Sequence, residues 1–399
     1  MATEFLSKIN VIADRAKIAL QTMSNAVQSH KDEFGLNEFY LSFTKGVVSQ
    51  LSGLNRRSVE KAMAEMEANG YEFGRKKIGA VEGYDFSIEQ VIDIYKHRGF
   101  APLRDKYAEG LVLFFSNLKG GVSKTLSTVS IAQSLRCHRD LLQYDIKCLV
   151  LDIDPQSSAT MYLNQRSSIG EIDNTVVQAV FNDVSREQLL SDFVLPSQVP
   201  GVDIIPASIA DGFIAAEWES ICKEQFGDDF NPYEALYKNV IQKLKGDYDF
   251  IFIDAGPHLD AALKAGLCAS DILVTPLPPS RVDMHSTLQY ISNLPSILNR
   301  LIENGAELRL KGHLAFMTKF SQSAQDIDSS ILANSVFAED FMMSSIPELS
   351  AFKRCAETFD TVISVHPSLY GGAGKSLANA KDALDSFSLA LFQHVSRLR

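Results

Sequence analysis

The sequence predicts an α/β protein. Its main body is a mostly parallel sheet with helices on both faces, preceded by a long N-terminal helix and a small winged helix-turn-helix unit. Three observations lead there. From residue 110 onward, short apolar runs alternate with helix-length segments: LVLFFSN (111–117), CLVLDID (148–154), VDIIPAS (202–208), FIFIDAG (250–256), ILVTPLP (272–278) and HLAFMTK (313–319). Strands apolar at nearly every position are covered on both faces, as parallel sheets are. Between residues 37 and 98, two helical patterns flank the turn SGL and are followed by the alternating, glycine-containing run YEFGRKKIGAVEGYDFS, as a wing would be. Third, Phe5, Ile9, Ile12, Ala16, Leu20, Met23 and Val27 recur at spacings of three and four, which makes one helix stripe.

These patterns divide the chain into residues 1–35, 36–105 and 106–399. The N-terminal stripe either packs on its own domain or pairs with a second copy, as coiled-coil seams do. In the second section NEFYLSFTKGVVSQL is expected to form a helix, and Gly53 lies in the turn after it. Asn55 then caps a second helix, RRSVEKAMAEMEANG, which stops at Gly70. Asn55, Arg56, Arg57, Ser58 and Lys61 fall at the start of that helix, the end that meets base edges in this motif. Arg75, Lys76 and Lys77 fall on the wing, where phosphates are met.

Bulk properties narrow the setting. The chain has 399 residues, enough for two or three domains, and no apolar run near the roughly 20 residues that cross a bilayer. MATEFLSKINVIADRAK lacks the apolar core of a secretion signal. The five cysteines are scattered without zinc or disulfide spacing, which fits a reducing cytoplasm. Net charge is −11, yet residues 1–110 balance 15 basic against 15 acidic residues, so the remainder carries the whole excess. Residues 42–79 hold seven basic against four acidic residues, a local patch compatible with nucleic acid on an acidic protein.

The chemistry concentrates in SNLKGGVSKT (116–125). A buried strand enters it and the helix pattern SKTLSTVSIAQSLR leaves it, the arrangement that aims backbone N–H groups at phosphate. Against the pattern G-x-x-x-x-G-K-[ST], Leu118 and Ser123 stand where glycine is required, and Lys119 is an extra lysine. Gly120 and Gly121 give close backbone approach, Lys124 is placed for the β- and γ-phosphates, and Thr125 for Mg²⁺. Asp254 ends an apolar strand, as the carboxylate completing such a metal site does. Asp152 and Asp154 end another, two residues apart and so on one face.

KGGVSKT resembles the deviant Walker A motif x-K-G-G-x-x-K-[ST] of the ParA/MinD superfamily of ATPases. LDIDPQSSAT resembles its Walker A′ motif and IFIDAGPHLDAAL its Walker B, in the same order. With the leading helix and helix-turn-helix, the resemblance extends to the large plasmid-type ParA partition proteins, which also repress their own operon. It implies that Lys119 reaches the phosphates of a partner copy, that Lys119, Lys124 and Asp154 are catalytic, and that Asp154 orients the attacking water. It implies a nucleotide site of Lys119, Gly120, Gly121, Val122, Ser123, Lys124, Thr125, Leu126 and Asp152. Thr125, Asp152 and Asp254 would serve Mg²⁺, Asp152 there or at the nearby switch, and the loops Pro276–Pro278 and Met317–Lys319 would lie near adenine. ATP/ADP and Mg²⁺ are then the cofactors. DNA (operator-specific and nonspecific), a ParB-type centromere-binding protein and a second copy are the partners. The expected setting is the bacterial cytoplasm, on the nucleoid when ATP is bound.

One departure stands out: the family usually has glycine where this chain has Ser123. If that position requires positive φ, serine carries about 1 kcal/mol of strain or more, or its hydroxyl instead adds a phosphate contact; nucleotide binding is expected to survive and hydrolysis to be slow. Lys353 and Arg354 are the candidates for nonspecific DNA contact. GGAGKSL (371–377) imitates a P-loop but follows no apolar strand, and is expected to be a surface loop opening a helix. Two alternatives remain, a nucleotide-sensing repressor and a MinD-like membrane-cycling ATPase. The second needs a basic amphipathic tail. The final helix pattern, with Leu384, Phe387, Leu391, Val395 and Leu398 on one stripe, suits packing on the sheet better. A relative of the nitrogenase iron protein would need cysteines placed to share a cluster, which the five do not suggest.

Overall fold

The computed structural model describes residues 2–33, 39–78, 81–168, 172–182 and 184–399. Helix α1 (Ala2–Glu33) leaves its apolar stripe uncovered: Phe5, Ile9, Ile12, Leu20 and Met23 are all exposed. It therefore does not pack on its own domain within one chain. Val27 lies on this helix, but its side chain is outside the described set.

The second section builds strand β1 (Ser42–Phe43), helix α2 (Lys45–Val48) and helix α3 (Arg56–Ala68). The hairpin strands β2 (Arg75–Ile78) and β3 (Val81–Tyr84), strand β4 (Phe86–Ser87) and helix α4 (Ile88–His97) complete it. The expected helix over 37–51 shrinks to the four residues of α2. Phe43 is instead drawn into a strand opposite Phe86, where both rings are buried, and Thr44 caps the helix behind it. Asn37 and Glu38, the first two residues of that expectation, lie outside the described residues. Gly53 adopts φ +76° in the turn, and α3 starts with a capping box between Asn55 and Ser58. Val59, Ala62 and Met63 from α3 pack with Ile88, Val91 and Tyr95 from α4 around Phe43 and Phe86. The hairpin pairs Arg75 with Tyr84, while its tip, Gly79–Ala80, lies outside the described residues.

After a short helix, α5 (Leu103–Lys106), comes the main sheet. Its strands are β5 (Leu111–Phe115), β6 (Cys148–Asp152), β7 (Leu195–Pro196), β8 (Val202–Ile205), β9 (Phe250–Asp254), β10 (Ile272–Leu277), β11 (Gly312–Met317) and β12 (Phe341–Met342). Their spatial order is β12-β11-β10-β5-β9-β6-β8-β7, parallel except for β7 on its edge. The two edge strands are two residues long, in apolar stretches of only three residues, so the sequence pattern does not announce them. The six interior strands are the six apolar runs.

Helix α6 (Lys124–Cys137) leaves β5 and is buried along most of its length. The helix Gly374–Val395 lays Leu384, Phe387, Leu391 and Val395 into the core, with the Phe387 ring 4.7 Å from that of Phe316. That face is unavailable to a membrane. No helix among the described residues is long and apolar enough to cross one.

Asp145 ties the winged unit to the sheet. Its carboxylate is almost fully buried and pairs with Lys96 of α4 (2.9 Å), Arg104 of α5 and Arg136 of α6 (2.7 Å). The helix that begins at the glycine loop thus ends at the attachment point of the winged unit.

Candidate nucleotide-binding site

The parallel arrangement gathers the loops after β5, β6, β9, β10 and β11 at the carboxyl ends of the strands, where α/β proteins hold ligands. The loop after β5 is shaped by two left-handed residues, Gly121 (φ +78°) and Ser123 (φ +68°). Ser123 immediately precedes α6 and makes no side-chain cap bond, so the strain expected of a serine there is present without that compensation. A Cβ placed on Gly121 would meet nothing within 4 Å, so glycine is there for its backbone angle.

Lys124 is buried, and its Nζ donates to the carbonyls of Asn117 (2.9 Å) and Lys119 (3.2 Å) inside the loop. Burial lowers its pKa, against the pull of Asp254 and Asp154. Asp254 and Asp152 end adjacent strands in direct register, and both are fully buried. Burial pushes the Asp254 carboxyl up to about 7, with a hydrogen bond from Thr125 opposing and the Asp154 charge adding. Burial, then the neighbouring Asp254, also raise the Asp152 carboxyl well above the usual carboxylate range.

The oxygens separate their roles. Asp152 Oδ2 accepts from both the amide and hydroxyl of Thr160 (2.8 Å each), and Oδ1 from the Asp154 amide (3.2 Å). These bonds hold helix α7 (Ser158–Leu163) and the loop before it. These bonds suit the second of the two roles expected of Asp152, at the switch beside the nucleotide. Asp254 keeps Oδ2 buried with no hydrogen-bond partner among the described residues. An orphaned carboxylate oxygen beside Thr125 and Lys124 fits a hard cation. No cluster of three His, Cys, Asp or Glu side chains able to hold a metal occurs among the described residues, so such a cation would draw most ligands from phosphate and water. Asp154 is half-buried. Gly256 lets the loop after β9 run beside it, for a Cβ there would stand 3.3 Å from its Oδ1.

Beside Ser123 opens a cavity of about 250 Å³ lined by Leu126, Ser130, Thr318, Lys319, Pro347 and Phe352, among others. Thr318 and Lys319 also bind the loop itself: their side chains donate to the carbonyls of Val122 (3.2 Å) and Gly121 (2.7 Å). Of the loops expected near adenine, Thr318 and Lys319 line this cavity and Pro276, Pro278 and Met317 do not. Met317 is packed in the core, and Pro276 and Pro278 are buried at the end of β10. In a strand ending Ala315-Phe316-Met317, the side chains reaching the loop begin at Thr318.

On the winged unit, Arg56, Arg57 and Lys61 are exposed along the first turns of α3, and Arg75, Lys76 and Lys77 are exposed on β2. Ser58 and Asn55 are engaged with each other in the cap. Arg56 shares Glu60 with Lys45, at 3.1 Å each. Lys353 and Arg354 lie elsewhere, on the helix Ser350–Ala356. Lys353 pairs with Glu348 at the rim of the cavity, and Arg354 donates to the Gly371 carbonyl.

The comparisons agree with this anatomy. The ParA helix turn helix domain matches residues 16–107, and an AAA domain matches residues 110–305. Plasmid partition protein A of Escherichia coli is 46% identical over 393 residues, covering 98% of each chain. The chain belongs to the ParA family. A solved structure described as a partition protein covers 99% of this ParA chain and 99% of its own, with TM-score 0.79 and 38% identity. Cobyrinic acid a,c-diamide synthase from Mycobacterium smegmatis, solved with ADP and magnesium, has the same sheet at 20% identity and TM-score 0.52, covering 73% of this chain and 97% of its own. At that identity it speaks to the fold alone.

Sequence reasoning missed Asn117, Thr287 and Asp283. Asn117 Nδ2 donates to Thr287 Oγ1 (2.7 Å) and the Pro276 carbonyl (3.1 Å), while its Oδ1 accepts the Lys119 amide (3.0 Å). Only the adjacency of β5 to β10 and the following helix reveals this wiring.

Proposed function

We propose that this ParA-family chain is a Mg²⁺-dependent ATPase whose nucleotide state selects between two modes of DNA binding. The observation that carries the reading is the two-lysine glycine loop opening α6 beside the orphaned oxygen of Asp254. The loop amides and Lys124 bind the phosphates of ATP. Thr125 and Asp254 hold Mg²⁺, which supplies charge neutralisation on those phosphates when bound. Asp154 orients the attacking water, and Asp152 fixes Asp154 and α7. Lys119 supplies its charge to the nucleotide of a second copy, as an arginine finger does. The left-handed Ser123 makes turnover slow. The cavity beside Ser123 receives the base.

A second copy suits the exposed apolar residues. Ile209, Phe213, Leu259 and Val282 are all more than half exposed and follow β8, β9 and β10 on the nucleotide face, and α1 adds its own stripe. In the ATP-bound dimer the protein holds DNA without sequence preference through phosphate contacts, and Lys353 and Arg354 contribute to that contact. A ParB-type centromere-binding partner stimulates hydrolysis and releases it. In the ADP or apo form α3 reads an operator and the wing holds phosphates, so the protein represses its own operon. The setting is the bacterial cytoplasm, on the nucleoid in the ATP form.

The test is ATP turnover against Mg²⁺ concentration for the wild type, Lys124→Ala and Asp254→Asn. The reading expects turnover that needs Mg²⁺ and falls by at least about a hundredfold in both variants. Equal turnover in the wild type and Lys124→Ala would overturn it.

A further inference from the structure

The helix Ala324–Phe337 has two apolar faces where a surface helix ordinarily has one. Its inward face is spent on the sheet, where Ala333 and Phe337 pack with Met317 and Phe341. Its outward face repeats the pattern. Ile327 and Ile331 stand on one row and Leu332 and Val336 on the next, each pair four residues apart. All four are at least 46% exposed, and at the same edge of the sheet Met343, just past β12, is 79% exposed. Asp328 is exposed between the two rows.

The charge around this face has one sign. Residues 320–352 contain no lysine or arginine and five acidic side chains. Asp326 is engaged by Ser321 and Ser323, Glu348 by Lys353, and Asp340 lies near His394. Asp328 and Glu339 are exposed and have no ion-pair partner among the described residues. Such a face repels DNA phosphate, and repels its own copy across a two-fold axis. It attracts a helix whose apolar anchors are flanked by lysine or arginine. Proteins that hold DNA carry such cations.

The helix is also wired to the nucleotide loops. Ser329 Oγ donates to the Pro279 carbonyl in the loop after β10 (2.8 Å). Asp326 Oδ2 accepts the Ser321 amide (2.6 Å), two residues beyond the Lys319 whose ammonium holds the Gly121 carbonyl. We propose that the outer face of the helix Ala324–Phe337 is the docking surface for a basic amphipathic helix of the ParB-type partner. The proposal rests on the reading that such a partner stimulates hydrolysis, and it puts the contact one short loop from the phosphates.

The experiment titrates the purified ParB-type protein of the same plasmid against ATP turnover of the full chain. The chains compared are wild type, Ile331→Ser with Leu332→Ser, Asp328→Lys and Asp328→Glu. Circular dichroism melting controls for folding, and sedimentation with a non-hydrolysable ATP analogue for dimer formation. Basal turnover should stay within about twofold of wild type in every variant. The double variant should raise the partner concentration for half-maximal stimulation by at least about tenfold. Asp328→Lys should raise it by about three- to tenfold, whereas Asp328→Glu, which keeps the charge, should leave it within about twofold. Equal midpoints in wild type and a folded double variant overturn the proposal. A folded double variant that no longer dimerises also overturns it, because the face would then belong to a second copy. Absence of stimulation in the wild type removes the reading beneath, and the docking surface with it.

Discussion

Asp145→Asn should loosen the attachment of the winged unit by an amount the structure allows us to calculate. Burial alone would raise the Asp145 carboxyl. Hydrogen bonds from Arg136, Lys96 and Arg104 more than offset that and hold it down at about 2, against an ordinary 3.8. Just under two units correspond to about 2.5 kcal/mol. Because the folded-state value is depressed, this stability is fully present above about pH 4 and is lost as pH falls toward 2. Asparagine keeps the shape and removes the charge, leaving Arg136 with the Ile146 and Pro200 carbonyls and, at 4.0 Å, the Glu89 carboxylate. Urea unfolding followed by circular dichroism at about pH 7, 5 and 3 measures the difference. We expect Asp145→Asn to be less stable by about 2–3 kcal/mol at the two higher values, with the gap narrowing at the lowest. A variant within about 0.5 kcal/mol of wild type at neutral pH, or a gap that ignores acid, would refute the clasp.

Further outcomes follow from other residues. Ser123→Val, which puts a β-branched side chain at φ +68°, should lower stability by more than about 1 kcal/mol in the same assay, whereas Ser123→Gly should be tolerated. Arg56→Ala with Arg57→Ala should abolish binding to an operator fragment while sparing ATP-dependent binding to random DNA, as read by gel shift at fixed salt. Thr160→Val removes one of the two bonds to Asp152 Oδ2 from a buried carboxylate and should cost about 1–3 kcal/mol by chemical denaturation, with turnover falling as Asp154 loses its support.

The main sheet was legible because each interior strand is an apolar run with an acidic, polar or proline-containing end, and the glycine loop because its chemistry is local. The place of Asp254 at the end of a buried strand was legible for the same reason. What escaped depends on contacts between distant segments. The first short helix lost most of its length because Phe43 found Phe86 across a two-strand pairing that local propensity does not encode. The bonds that tie Asp152 to Thr160 join residues whose pairing no motif announces. Met317 sits one residue from the lining side chains, an offset set by where the strand ends. Asp283 carries no motif, and nothing before the fold brings it within 3.5 Å of Lys119.

The central claim is that one protein binds DNA in two ways chosen by its nucleotide. The most direct test is binding to two duplexes of equal length, the promoter region upstream of its own gene and a random sequence. Each would be measured with ADP, with ATP and with a non-hydrolysable ATP analogue at one salt concentration. The account predicts selective promoter binding with ADP and indiscriminate binding of both duplexes with ATP or the analogue. Absence of any DNA binding with ATP, alongside intact nucleotide binding, would contradict it.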